Sequence, residues 1–413
     1  MHIAGIIAEY NPFHNGHLHQ IISTTKQTHC DYVVIAMSGN FTQRGEAAIA
    51  DKFIRAQMAL KAGADLVLEL PLPFATASAE RFAQGAVSLF HHTGIIDTLS
   101  FGSECGDIAL LQLIASRLET PSITLNTALK SYLKNGYSFP RARELALLED
   151  LKSLELHPEV YDSLIEVIRC PNNILGIEYI KAIEHFNASI KPFTLKRLTA
   201  GYHDPSLYQH IASATAIRTH LSRGYSSELA ACMPTTTSEL LASTSYAQPD
   251  MSMLTPFLHY KFMFSSKEDL YSLWDIPTDL INTFLNNYHT LDCFSDFVKA
   301  CTSKTYTSAT VRRALLRILL NIHTETLQKL EAISWIPYIR VLGCKKESQF
   351  ILKHLSLHAK RPIITNLNKV YSNLDPLSKQ LIDYELNATK LYHYLTKQSH
   401  LYTQDFTQSF LMV

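Results

Sequence analysis

Two histidines, His14 and His17, stand three residues apart within the stretch that runs MHIAGIIAEYNPFHNGHLHQ from Met1 to Gln20. Imidazoles at this spacing can donate hydrogen bonds to a phosphate or balance charge building on a departing pyrophosphate. They must first be exposed together, and their neighbours supply the means. Asn11, Pro12, Asn15 and Gly16 break regular structure; Pro12 fixes its own φ and cannot donate to a ladder, while Gly16 lets backbone approach a ligand closely. The pair could alternatively hold a metal, yet neither a third ligand nor a Cys partner is spaced nearby.

The elements around this turn must hold it. Ile3 to Ala8 is short, apolar and rich in Ile, the pattern of a strand buried on both faces of a parallel sheet. From His17, the positions of Leu18, Ile21 and Ile22 have helical spacing, and free N–H groups at such a helix start form a ready phosphate site. Strands and helices then alternate. Asp31 to Met37 predicts a second strand and Phe41 to Glu46 a polar loop. Asp51 predicts the N-cap of a helix through Phe53, Met58 and Leu60 that ends at Gly63. Asp65 to Leu70 predicts a third strand, Thr76 to His91 a helix, and Thr98 to Phe101 a fourth strand ending in Gly102-Ser103-Glu104. This order predicts an α/β fold with a Rossmann-like, doubly wound parallel sheet, whose ligands bind at strand C-termini. Ala109 to Leu154 reads as mostly helical, with Pro140 at a first helical position.

A second concentration of polar motifs lies between Arg169 and Arg223. Cys170 to Gly176 is a turn leading into a helix, with Asn172 and Asn173 able to cap it or to read a base. Phe193 to Leu198 predicts the fifth strand and carries Lys196 and Arg197 toward the sheet's C-terminal edge. Gly201-Tyr202-His203-Asp204 follows, and then Ile211 to Arg218, where Ser213 or Thr215 would open a helix with its N–H groups facing an anion and Arg218 one turn inside.

Beyond Gly224 helical periodicity dominates, as in Met251 to Phe264, Leu280 to Tyr288, Ala309 to Ile322 and Leu374 to Leu395, with short apolar pieces at Trp335 to Leu342 and Pro362 to Thr365. We therefore divide the chain into an α/β domain, 1–224, and a mainly α-helical domain, 225–413. The latter's basic groups gather at Arg312-Arg313 with Arg317, Lys345-Lys346 and Lys360-Arg361, near Tyr306, Phe350 and Tyr371. Such mixtures can track a phosphate backbone and stack bases, although a basic pair is more commonly a solvated surface.

Bulk properties exclude several classes. With 413 residues, 46% of them hydrophobic, the chain can bury a real core; Lys+Arg and Asp+Glu are equal at 37 each, so any nucleic-acid surface must be local. Seven scattered Cys with no CxxC pair suit reduced thiols rather than disulfides or a zinc ribbon. The absence of a signal segment or a run of about 18 apolar residues points to a cytoplasmic protein with no membrane partner.

His14-Asn15-Gly16-His17 after a first strand resembles the HxGH signature of the nucleotidyltransferase superfamily. Its extension through Glu9-Tyr10-Asn11-Pro12-Phe13 resembles the bacterial tRNA(Met) cytidine acetate ligase family, as do Ser38 to Glu46, Asp51-Lys52, Glu69-Leu70-Pro71, Phe101 to Glu104, Pro171 to Leu175, Lys196-Arg197 and Tyr202-His203-Asp204. The resemblance implies that acetate and ATP give acetyl-adenylate and pyrophosphate, and that acetyl then passes to N4 of the wobble cytidine of elongator tRNA(Met). It implies His14 and His17 as the catalytic pair on the phosphates. It also implies ATP contacts from Ile7, Ala8, Glu9, Tyr10, Asn11, Pro12, Phe13, His14, Asn15, Gly16, His17, Leu18, His19, Gln20, Gly102, Asn172 (or its neighbour Asn173) and Arg197. Ser213, Thr215 and Arg218 are similar to the superfamily's ISSTxIR element for the β- and γ-phosphates. Magnesium would accompany the triphosphate, although no carboxylate cluster names its ligands. The oligomeric state stays open, a homodimer being compatible with everything above. Two other classes remain: an adenylyltransferase acting on a small metabolite phosphate, and a non-catalytic tRNA-binding protein that uses ATP as a structural ligand.

Overall fold

The Ile-rich run after the N-terminus forms β1 (Ile3–Ala8) at the centre of the sheet, hydrogen-bonded in parallel to β2 (Tyr32–Ser38) on one side and to β4 (Thr98–Ser103) on the other. This computed structural model describes the chain except residues 154–156, 198–211, 223 and 244–247. β3 (Leu66–Leu70) extends the sheet beyond β2, and β5 (Lys191–Lys196) extends it beyond β4, both in parallel. The order β5-β4-β1-β2-β3 reverses direction between β1 and β4, which makes that crevice the topological switch point where an open α/β sheet binds ligands.

Alternation along the strands divides the interior in two. Ile3, Val34 and Ala36 point into one apolar core, while Ala4, Ile6, Val33, Ile35 and Met37 point into the other. The first core also takes in Leu258, Phe284, Leu315, Leu381 and Tyr392, so helices from residues 251 to 395 cover one face of the sheet.

Residues beyond 225 also continue the sheet itself. β6 (Ile339–Cys344) pairs antiparallel with β3, while β7 (Ile363–Ile364) and β8 (Leu411–Met412) pair in parallel with β6. β6 and β7 fall at the short apolar pieces of the sequence, where periodicity alone does not separate strand from buried helix. A buried ion cluster seals the junction. Lys52 Nζ lies 2.6 Å from both Glu69 Oε1 and Asp405 Oδ1, and Arg340 lies 2.9 Å from Glu69 and 2.7 Å from Asp405. Two cations thus face two carboxylates, while burial and the charge of Glu69 hold the neighbouring Glu385 well above the usual carboxylate range.

On the helix Ser308–Leu320, Arg313 and Arg317 are part of the same fastening, which corrects their reading as a solvated or phosphate-tracking surface, while Arg312 keeps part of its surface on a cavity. Arg317 is buried, donates to the Thr76 carbonyl at 3.1 Å and pairs with Asp275 at 3.0 Å. Arg313 donates to the Gln43 carbonyl, and Arg312 to the Arg44 carbonyl, both at 3.2 Å. All three guanidinium groups thus satisfy groups of the first 76 residues or of the Asp275 turn. Among the described residues no helix is long and apolar enough to cross a membrane.

Candidate functional site

At the C-terminal end of β1 the chain makes a strained turn. Tyr10 has φ 49°, a left-handed conformation that costs a bulky side chain energy and tends to persist only where its surroundings fix it. Its ring is buried against Phe13 and His17, at centroid distances of 4.7 and 4.9 Å. The next residue ties the turn to two distant segments. Asn11 Oδ1 accepts from Ile49 N–H at 2.7 Å, and the Asn11 carbonyl accepts from Arg218 at 2.8 Å.

Helix α1 (Asn15–Thr28) begins two residues before the spacing suggests, because His14 is its N-cap. Gly16 N–H donates to His14 Nδ1 at 3.1 Å, and His14 N–H donates to His17 Nδ1 at 3.2 Å, a reciprocal capping box built from two imidazoles. Asn15 N–H and side chain reach the carbonyls of Cys232 and Ala231, and His17 N–H reaches His14 O. The first backbone donors of α1 are therefore consumed within the protein, which corrects the expectation that they would cradle a phosphate. The histidines take over that capacity.

The rings of His14 and His17 stack at 3.7 Å. Burial, then the charges of Arg197 and Arg218, pushes the His14 imidazolium down to about 3; burial, then His14 and Arg197, holds that of His17 well below its ordinary value. Both rings are accordingly neutral at physiological pH. Because Nδ1 accepts in each, the single ring proton sits on Nε2, and Nε2–H is the donor that each can offer a ligand. Gly16 makes the arrangement possible, since a Cβ there would lie 2.9 Å from His14 Cε1.

The two rings line a small crevice at the switch point together with Gly16, His19, Gln20, Gly102, Leu195, Lys196 and Arg197. Gly102, in β4, is half-buried, and a Cβ there would approach Arg197 Cγ to 3.1 Å, so the arginine lies across the glycine. Arg197 follows β5 with its N–H on Ser103 O, is exposed, and forms no ion pair with Glu9 among the described residues. Of the two asparagines opening the helix Pro171–His185, Asn173 is buried and locked, its Oδ1 accepting from Glu104 and Cys105 N–H at 2.8 and 3.2 Å. Asn172 is half-buried, held through Nδ2 on Glu104 at 2.6 Å, and is the one with surface to offer. Glu104 also accepts from the N–H groups of both residues, so a protein carboxylate already occupies this helix start.

Ser213 caps the helix Ala214–Leu221 by accepting from Ala216 N–H at 3.1 Å, and Thr215 accepts from Arg218 at 3.2 Å. Neither lines the crevice, whereas Arg218 reaches the turn itself through Asn11. Ile7, Ala8 and Glu9 are half-buried at the strand end, and Pro12 and Phe13 are buried in the turn. Leu18 packs its α1 face against the second core. Tyr202-His203-Asp204 and Ile211 lie outside the described residues. Among the described residues no group of three or more His, Cys, Asp or Glu could hold a metal ion, so the side chains do not fit a protein-built magnesium cage.

Arg55, absent from every sequence motif, proves central. Fully buried in α2 (Lys52–Lys61), it donates to the carbonyls of Glu9 at 2.5 Å, Ser38 at 3.1 Å and Ala50 at 2.8 Å, and also to that of Gly39. Its guanidinium thereby fixes the ends of β1 and β2 side by side. Glu9 is held from the other direction, accepting from Gln43 N–H at 2.7 Å, and burial raises its carboxyl above the usual range. Local spacing offered no signal for Arg55, since its partners lie 5 to 46 residues away.

The family model described as HIGH Nucleotidyl Transferase matches residues 1–408. A tRNA(Met) cytidine acetate ligase of Thermoanaerobacter sp. (strain X514) is 37% identical over 407 residues, covering 98% of each chain. A ligase of the same name from Acetivibrio thermocellus is 35% identical over 425 residues and the whole of both chains. A crystal structure of Thermotoga maritima TmcAL bound with alpha-thio ATP superposes with a TM-score of 0.90 at 31% identity, covering 100% of each chain. With one family model spanning nearly the whole chain and relatives alike from end to end, the chain belongs to the HIGH nucleotidyl transferase family.

Proposed function

We propose that this protein is an ATP-dependent ligase that activates acetate as acetyl-adenylate and transfers the acetyl group to N4 of the wobble cytidine of elongator tRNA(Met), in the cytoplasm. The observation that carries the reading is the stacked pair of neutral imidazoles at the switch point, two Nε2–H donors beside Arg197. In the first step an acetate oxygen bonds to the α-phosphorus while the bond to the β-phosphate bridging oxygen breaks. Charge builds on the departing pyrophosphate, and preorganised donors aimed at it lower the barrier. Neutral His14 and His17 can take this role, because each keeps one Nε2–H to donate to the departing phosphate oxygens. In the second step the N4 amine bonds to the acyl carbon, the bond from that carbon to the bridging oxygen breaks, AMP leaves with the bridging oxygen, and the amine proton passes to solvent. No protein nucleophile is required. Magnesium enters with the triphosphate as part of the substrate.

Arg197 lies across Gly102 at the mouth of the crevice, and we assign it to hold the phosphates. Incubating the protein with ATP, magnesium, radiolabelled acetate and total tRNA tests the whole reading. Label should reach tRNA with release of pyrophosphate; pyrophosphate release that ignores acetate, or label absent from tRNA, would overturn it.

A further inference from the structure

A second cavity, of about 510 Å³, lies on the other side of the Glu9–His17 turn. The crevice with His14 and His17 is walled by the ends of β4 and β5, whereas this one is walled by the loop after β2, at Glu46, Ala47 and Ile49. Since β2 and β4 flank β1 on opposite sides, the two hollows flank the same turn. Arg218 belongs to both surroundings. It lines the larger cavity, it holds the Asn11 carbonyl, and its charge reaches His14. The outer wall comes from two helices of the C-terminal half. Ser295 and Lys299 lie one turn apart on the helix Phe294–Cys301, as do Ser308 and Arg312 on the helix Ser308–Leu320.

We propose that this cavity receives a nucleotide of the substrate RNA, so that the acceptor base and ATP meet the Glu9–His17 turn from opposite sides. The inference rests on the tRNA reading above and specifies where that substrate sits. Its volume falls within the ~300–1,000 Å³ of sites for small organic ligands, and acetate alone would leave it mostly empty. The lining suits a base with its phosphate. Ile49, Met251, Phe294 and Val298 offer apolar faces, and Gln248 and Ser295 offer hydrogen bonds to a base edge. Three cations, Arg218, Lys299 and Arg312, face a single carboxylate, Glu46, which is itself paired with Arg312 at 3.2 Å; Asp296 holds Lys299 at 3.0 Å from outside the lining. In a chain whose formal charges balance, this local excess of cations favours a polyanion over a neutral metabolite or an acid-poor peptide.

The test uses two exposed positions remote from the imidazole pair: Ser295→Trp to fill the cavity and Lys299→Glu to reverse its rim charge. ATP affinity, affinity for elongator tRNA(Met) in the absence of acetate, and acetyl transfer are measured for each. We expect tRNA affinity and transfer at limiting tRNA to fall roughly tenfold, with ATP affinity within about twofold. Unchanged tRNA binding in both variants would overturn the assignment, as would ATP and tRNA affinity falling together in Lys299→Glu, whose surface position cannot disturb the core. Cavity-dependent tRNA binding by a protein that transfers no acetate would sustain the cavity and refute the acetate reading instead.

Discussion

In the Glu9–Gln20 turn the first backbone donors are consumed by His14, His17 and the Cys232 carbonyl, and the imidazole Nε2–H groups are what remains for a ligand. In the helix Ser308–Leu320 the side chains of Arg313 and Arg317 are themselves consumed, by carbonyls 270 and 241 residues distant. Both regions look equally ready for an anion when only residue types are read. The difference teaches that a polar side chain reaches a ligand only if the fold has not satisfied it first, and that the competing partner can be local or very remote.

The sharpest way to break this comparison is at the turn. His17→Ala removes one Nε2–H donor, and acetate-dependent pyrophosphate release measured on the folded variant should fall by roughly 10²–10³-fold, with a stability loss of roughly 1–3 kcal/mol because His14 N–H loses its acceptor. A variant with full activity would deprive the imidazole pair of its phosphate role. The helix should answer in the opposite currency. Arg317→Ala leaves the Thr76 carbonyl without its buried donor and should lower unfolding free energy by roughly 1–3 kcal/mol. The salt slope of tRNA affinity should stay unaltered. If instead the slope drops by about one with stability intact, Arg317 is an RNA contact after all.

A third effect is smaller. His14 titrates near 3 in the folded protein but near its ordinary value of about 6.5 once unfolded, so the unfolded chain binds more protons between those limits. Stability conferred by the neutral ring is complete above about pH 6.5 and is lost as pH falls from there toward about 3. Between pH 7 and pH 5 the unsubstituted protein should therefore lose on the order of 1–2 kcal/mol more than His14→Gln in denaturant titrations. Parallel losses in the two proteins would mean that His14 is protonated in the native state.

Runs rich in Ile, Val and Leu made β1, β2 and β3 legible, because a strand buried on both faces leaves a largely apolar stretch, and β4 was legible from the Gly102 turn that ends it. Asp51 was legible as an N-cap for the same local reason, its Oδ1 accepting from Phe53 and Ile54 N–H at 2.8 and 3.0 Å. β6 and β7 were not, since their pairing with β3 and with each other has no signature in a short apolar run. At the site, the HxGH turn announced itself, but the start of α1 was misplaced by two residues because histidine is an unusual cap.

The sequence by itself thus determined the strand-turn-helix that presents His14 and His17, along with the alternating order that builds a doubly wound sheet, since both follow from spacings of a few residues. Tertiary structure alone decided that both imidazoles are buried and neutral, that Arg55 fixes the ends of β1 and β2, and that the C-terminal helices close a second cavity over the same turn. Desolvation and long-range hydrogen bonding act through space, and a residue's partners across 46 or 270 positions leave no trace in its neighbours along the chain.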